Sequence, residues 1–331
     1  NYMKGYREIE SQLKSKRIVF RESESPLKWP FMKILREQSK TKMTFACNPY
    51  AEVYKFRDNV YGIFTESLDG MGDPWMYLIE GPKKALLVDT GFGCGDLKGL
   101  IHEIIHDKEL IVVNTHSHYD HAYGNAQFDK IYCHENEVFR MKRTQNPHIW
   151  DYLFDKDGKC IWTEFDRNDL VSYKDYEIIP IPDNYIFDLG DGYEVEAMLI
   201  PGHTPGQCGY LDKHNHILFS GDTSHFGQQI AEEPNTHFCS VNEYVKALRK
   251  IVARIDEIEG VFPGHGAVDQ TNTVLTNWLE AAEAVLADPQ SYDYKREVER
   301  NGERFIQYGK KIYQGSQLTY TMQHILKEAS E

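Results

Sequence analysis

The sequence predicts an α/β protein, on three observations. Short apolar runs recur along its 331 residues and stop at Gly- or Pro-bearing turns, as buried strands do. Two stretches, Leu97 to His106 and Thr271 to Ala287, instead carry the apolar spacing of helices. Third, several apolar runs are followed at once by His or Asp, so strand ends deliver metal-binding groups to one edge of a sheet.

In chain order, residues 1–50 read as helical pieces broken at Pro26, Pro30 and Pro49. Val53 to Thr65 and Trp75 to Glu80 are the opening strands, with Gly70 to Pro74 as the turn between them. Leu97 to His106 is a helix on which His102 and His106 share a face, a surface pair rather than a metal site. Leu110 to Val113 is a strand. Residues 144–187 hold Trp150, Tyr152, Phe154, Trp162, Phe165, Tyr173 and Tyr176 among many Asp and Lys, too aromatic for a disordered linker. They read as an insertion that walls a substrate pocket, with a satellite core or a dimer contact as the alternatives. Val195 to Ile200, Ile217 to Phe219 and Gly260 to Phe262 are strands. Thr271 to Ala287 packs as an outer helix through Val274, Trp278, Ala281 and Val285, and residues 291–331 read as a charged helical tail with a break between Gly309 and Gly315.

The chemistry concentrates at Thr115-His116-Ser117-His118-Tyr119-Asp120-His121, which places three histidines and an aspartate directly after a strand. Imidazole and carboxylate are the ligands that Zn²⁺ and its neighbours prefer, and packing does not explain four of them in one heptapeptide. His203, Asp222 and His265 repeat the arrangement: an apolar run, a Gly or Pro turn, then one ligand. Glycine beside a ligand lets the backbone bend sharply and approach an ion.

The ordered motifs H-x-H-x-D-H, P-G-H-T-P-G (Pro201 to Gly206), S-G-D (Ser220 to Asp222) and P-G-H-G (Pro263 to Gly266), preceded by Leu86-Leu87-Val88-Asp89-Thr90-Gly91, resemble the metallo-β-lactamase superfamily over roughly residues 50–290. The resemblance implies an αβ/βα four-layer sandwich with metals at one edge between two mixed sheets. The catalytic domain would span 51–290, with helical N- and C-terminal appendages at 1–50 and 291–331. It assigns His116, His118 and His203 to a first metal and Asp120, His121 and His265 to a second, with Asp222 bridging. Asp89 would support the ligand loop.

Two divalent ions, Zn²⁺ first with Fe or Mn as alternatives, would supply a bridging hydroxide, because metal binding lowers the pKa of water from near 16 to about 7. The implied activity is hydrolysis of an ester, lactone, thioester or amide, with Asp120 orienting the nucleophile and shuttling a proton. True β-lactamases of the superfamily generally lack an Asp in the S-G-D position, so Asp222 points to the broader hydrolase branches. His225 stands where similar lactonases place a Tyr facing the substrate carbonyl. It is a candidate catalytic hydrogen-bond donor or acid, with a loop-capping role as the equal alternative. Two other readings of the scaffold are a mononuclear-iron persulfide dioxygenase and a metabolite-binding protein without turnover.

Composition bounds the rest. The net charge of −14 disfavours nucleic acid as a partner, because phosphate would be repelled. The basic excess of residues 1–42, including Lys14, Lys16, Arg17 and Arg21, is a surface for the acidic body or for a second copy, leaving a homodimer open. No apolar run reaches the ~20 residues needed to cross a bilayer, and no signal-like segment opens the chain. Six cysteines without paired spacings fit free thiols in a reducing cytoplasm. The expected partner is a small, bulky or aromatic substrate.

Overall fold

The computed structural model describes residues 35–36, 39–227, 238–300, 302–313 and 316–325. Two large sheets lie face to face. The first runs in chain order through β1 (Lys42–Phe45), β2 (Asn48–Arg57), β3 (Val60–Thr65), β4 (Trp75–Glu80), β5 (Lys84–Val88), β6 (Glu109–Val113), β7 (Lys130–His134) and β8 (Glu177–Ile181). It is antiparallel to β5 and parallel from there on. The second comprises β9 (Ile186–Asp188), β10 (Glu194–Leu199), β11 (Cys208–Asp212), β12 (Ile217–Gly221), β14 (Gly260–Pro263) and β15 (Gln270–Thr271), in the order β15-β14-β12-β11-β10-β9.

Alternation along each strand builds the layers, because successive side chains of a strand point to opposite faces. From the first sheet Tyr54, Trp75, Tyr77, Leu86, Val88 and Val113 turn inward to meet Val195, Ala197, Tyr210, Phe219 and Phe262 of the second. The alternate residues Val53, Met76, Leu78, Leu87 and Val112 face outward onto α1 (Leu97–Ile105), through Leu97, Leu100, Ile101 and Ile105. Both faces are covered, which is why β4 and β5 read as continuous apolar runs rather than alternating ones. Over the second sheet, Met198, Leu211, Leu218 and Val261 pack beneath Tyr244, Val245, Leu248 and Ile251 and beneath Leu275, Trp278, Ala282 and Val285. These belong to α4 (Val241–Val252) and α5 (Thr273–Ala287), which follow the short helices α2 (Tyr119–Ala122) and α3 (Val138–Met141) in the chain. The result is the four-layer αβ/βα sandwich.

Trp75 anchors the inner layer, ringed by Tyr54, Phe56, Phe64 and Tyr77. Its Nε1 donates to the Gly266 carbonyl at 3.0 Å and its backbone N to that of Gly264 at 2.8 Å. Trp75→Ala is expected to cost about 3–5 kcal/mol, as large-to-small core changes do. Urea titration measures it, and a loss below about 1 kcal/mol would contradict this packing.

Two terminal readings are corrected. Residues 42–50 are two strands joined by a tight turn, not helix: Pro49 sits second in β2, before that strand pairs with β3 from Ala51 on, so its missing N–H interrupts no bond between them. Residues 1–34, with the basic cluster, lie outside the described residues. The tail is no helix either. β16 (Tyr294–Arg300), β17 (Glu303–Ile312) and β18 (Ser316–Tyr320) form a meander, in which Arg300 pairs with Glu303 across Asn301-Gly302. An Asn-Gly pair is a strong short hairpin signal, and it prevails here although the flanking strands are rich in charge. β18 also pairs in parallel with β13 (His225–Gly227).

Candidate metal centre

Strands β6, β10, β12 and β14 present their C-terminal ends at one edge of the sandwich, and the seven residues singled out in the sequence meet there. His118 Nδ1 lies 3.0 Å from His116 Nε2 and 3.0 Å from His203 Nε2. Beside this trio, His265 Nε2 lies 3.0 Å from Asp120 Oδ2 and 3.2 Å from His121 Nε2. Asp222 stands between the two groups, with Oδ2 3.4 Å from His203 Nε2 and Oδ1 3.4 Å from His121 Nε2. The sites His116–His118–His203 and Asp120–His121–His265 each bring their ligand atoms together, as does His116–His121–Asp222 between them.

The donor set fits divalent cations. A tetrahedral ion with bonds of about 2.0–2.1 Å spaces its ligands by about 3.3 Å, close to the nitrogen–nitrogen separations here. Asp222 Oδ1 is buried with no hydrogen-bond partner among the described residues, a costly state for a carboxylate oxygen unless a cation faces it. Gly264 makes the approach feasible, since a Cβ there would sit 2.5 Å from that oxygen and 2.7 Å from His121 Cε1.

Hydrogen bonds on the far side of the rings set their tautomers. Asp89, at the end of β5 with φ 64°, accepts from Thr115 N at 2.7 Å, Thr115 Oγ1 at 2.8 Å and His121 Nδ1 at 2.9 Å. The Thr115 hydroxyl, its proton given to Asp89, accepts from His116 Nδ1 at 3.0 Å. His265 Nδ1 donates to the Asp73 carbonyl at 2.9 Å. With a metal bound, each of these Nδ1 atoms would keep its proton and each Nε2 would present its lone pair to the cluster. Thr115 and the Asp73 carbonyl are contributions that no spacing in the sequence signals.

Charge divides the histidines. Burial, reinforced by neighbouring imidazoles, lowers His116, and it takes His118 down to about 3. Burial also depresses His203, against the pull of Asp222. His265 behaves oppositely: burial would lower it, but Asp222 and Asp120 outweigh burial and raise it to about 10. His121 is raised in the same way by Asp120, Asp222 and Asp89. A ligand must be unprotonated, so metal uptake near neutral pH is expected to release protons from His121 and His265, and affinity is expected to climb as pH rises toward 10. Calorimetry in buffers of different ionisation enthalpy measures the release, and none at pH 7 would refute it.

The insertion packs beside this loop. Leu68, Phe92, Ile149, Trp150 and Leu153 form a small core under it. An aromatic series leads outward from the ligands: His118 and Tyr119 rings are 6.3 Å apart, Tyr119 and Tyr152 6.0 Å, Tyr152 and Trp162 6.1 Å. Trp162 is half exposed. The His225 backbone opens β13, three residues past Asp222, and its side chain lies outside what the structure describes. His102 Nδ1 contacts the His106 carbonyl at 2.9 Å and joins no ligand cluster.

Residues 69–265 match the metallo-beta-lactamase superfamily. The chain is 27% identical over 206 residues to the acyl-coenzyme A thioesterase MBLAC2 of Homo sapiens, covering 57% of this chain and 72% of that one. It is 26% identical over 214 residues to the probable polyketide biosynthesis zinc-dependent hydrolase BaeB of Bacillus velezensis, covering 63% and 80%. To the N-acyl homoserine lactonase of a Bacillus species it is 25% identical over 224 residues, covering 58% and 80%. These relatives are named hydrolases and thioesterases, not β-lactamases, and the motif match spans more than half of the sequence: the chain belongs to the metallo-beta-lactamase superfamily.

Proposed function

We propose that this protein is a dinuclear metal-dependent hydrolase that cleaves an ester, lactone or thioester carbonyl of a small acyl substrate, amides being the remaining member of the class. The observation that carries the reading is Asp222, whose two oxygens face one histidine of each ligand group. His116, His118 and His203 would hold one ion and Asp120, His121 and His265 the other, with Zn²⁺ the first candidate. When bound, such ions acidify water and polarise a carbonyl. Asp120 is the residue placed to orient the attacking water and to pass its proton to the leaving group, since it is the one carboxylate of the cluster besides Asp222 and stands within 3.0 Å of His265.

The acyl portion would lie along Tyr119, Tyr152 and Trp162, flat apolar surface leading away from the ligands. The similarity to a thioesterase and a lactonase supports acyl substrates. A single-iron oxidoreductase would need only His116, His118 and His203. The second group, complete and with its tautomers set, favours the hydrolase.

Metal analysis together with a panel of acyl-coenzyme A thioesters, acyl lactones, aryl esters and a lactam tests the proposal. About two zinc ions per chain with ester or thioester turnover is the expected result. One iron per chain with sulfur-dependent oxygen uptake would overturn it.

A further inference from the structure

Two of the clustered histidines lack the support the others have. His118 Nε2 and His203 Nδ1 are buried without a hydrogen-bond partner among the described residues, whereas His116, His121 and His265 are each held from behind. Something other than a bond to the ring must set where these two imidazoles stand. The backbone between them shows what does. Glu137 follows β7, the parallel neighbour of β6, so its turn falls at the same sheet edge as the ligand loop. Its side chain is fully buried, yet it meets no Lys or Arg in a salt bridge among the described residues.

All four of its contacts are donors from the two ligand loops. Oε1 accepts from Ser117 N at 3.0 Å and from Ser117 Oγ at 2.5 Å, and Ser117 is the residue between His116 and His118. Oε2 accepts from Thr204 Oγ1 at 2.8 Å and from Gly206 N at 3.0 Å, residues that follow His203. The second loop is pressed against it: a Cβ on Gly206 would run into the Glu137 backbone nitrogen and lie 2.6 Å from Glu137 Cβ. An alanine there would force the loops apart.

We propose that Glu137 is a positioning residue for the first metal, a carboxylate clamp that fixes the His116–His118 loop against the His203 loop and thereby the spacing of the three nitrogens. The proposal rests on the two-ion reading for what those nitrogens bind. Its chemistry is specific: one oxygen takes two donors from one loop and the other takes two from the second. An amide cannot reproduce this, because its NH₂ would point a donor at two donors. The clamp does not reach Asp120, His121 or His265, which Asp89 and the Asp73 carbonyl hold instead, so the two ions depend on separate supports.

Glu137→Gln tests this, with Zn²⁺ and Co²⁺ affinities measured by chelator competition and the Co²⁺ absorption spectrum recorded at each equivalent. The expected result is one ion held at wild-type strength and the other about 10–100-fold weaker, the range for losing a ligand-supporting partner, with an altered spectrum for the weakened equivalent alone. A merely structural carboxylate would lower the melting temperature and leave both affinities unchanged in the folded fraction, and that outcome, or equal weakening of both ions, overturns the clamp. Should Glu137→Gln not fold, Thr204→Val removes a single donor and is expected to weaken the same one ion severalfold; two wild-type affinities in that variant overturn the clamp equally. The wild-type titration reads the two-ion proposal separately. Uptake of one equivalent refutes that proposal, and the clamp then stands or falls on whether Glu137→Gln weakens the single ion.

Discussion

His118→Ala is expected to lose one metal equivalent and at least about a thousandfold in turnover together, while the fold survives. The catalytic loss follows from the several kcal/mol that metal ions contribute to a carbonyl transition state, each ~1.4 kcal/mol being tenfold in rate. Survival of the fold follows from the position of the ring: His118 Nδ1 faces His116 and His203, its Nε2 has no hydrogen-bond partner among the described residues, and the side chain is only partly buried. Among the described residues, its ring bonds only to the other clustered histidines, so cutting it back removes no hydrogen bond from the core. Elemental analysis, steady-state kinetics and a thermal melt on the same preparation separate the effects, with His102→Ala on the exposed face of α1 as the neutral control. Full activity in His118→Ala would remove the residue from the site.

The second large effect is expected at Asp89→Asn, which should cost about 10–100-fold in metal affinity or activity and also lower stability. Asp89 is buried and receives three donors, two from Thr115 and one from His121. An asparagine NH₂ would meet at least one of those donors head-on, and leaving a buried donor unmatched costs about 1–3 kcal/mol. The two readouts come from different ends of one side chain: His121 connects it to the cluster, and the Thr115 backbone connects it to the end of β6. Chelator competition and urea denaturation report them respectively. A variant that keeps wild-type metal affinity while losing stability would reduce Asp89 to a turn residue.

How far the site was legible in the sequence depends on the distance over which each part acts. His116, His118, Asp120 and His121 share one loop, and His203, Asp222 and His265 each follow an apolar run by a turn, so local spacing points to all seven. Glu137 does not announce itself in this way. It is one acidic residue after a strand, and its role exists only because β7 lies parallel beside β6 and because Gly206 admits close contact, facts of tertiary neighbourhood. The Asp73 carbonyl is backbone and has no residue type to read.

The fold divides similarly. β4, β5, β12 and β14 were visible as apolar runs because both faces are buried. The tail reads as helix because its strands are largely charged and exposed, and its hairpin signal rests on Asn301 and Gly302 alone. α4 is announced only by Ser240 and Glu243, an S-x-x-E start in which Ser240 Oγ accepts from Glu243 N at 3.2 Å. The alternation of polar and apolar residues beyond that cap is steep but lies beside a segment without pattern.

The parallel pairing of β13 with β18 bears on when this protein becomes itself during synthesis. The strand that leaves Asp222 has its partner about ninety residues further along, with His225 opposite Gln317. At ribosomal rates of ~5–20 residues per second, the last ligand-bearing loop, at His265, is complete about 3–10 seconds before that partner is made. Closing so long a loop is slow in itself, since non-local strand pairing pays its entropy before it gains contacts. The nascent chain therefore holds all seven candidate metal ligands while the segment next to Asp222 still lacks its neighbour.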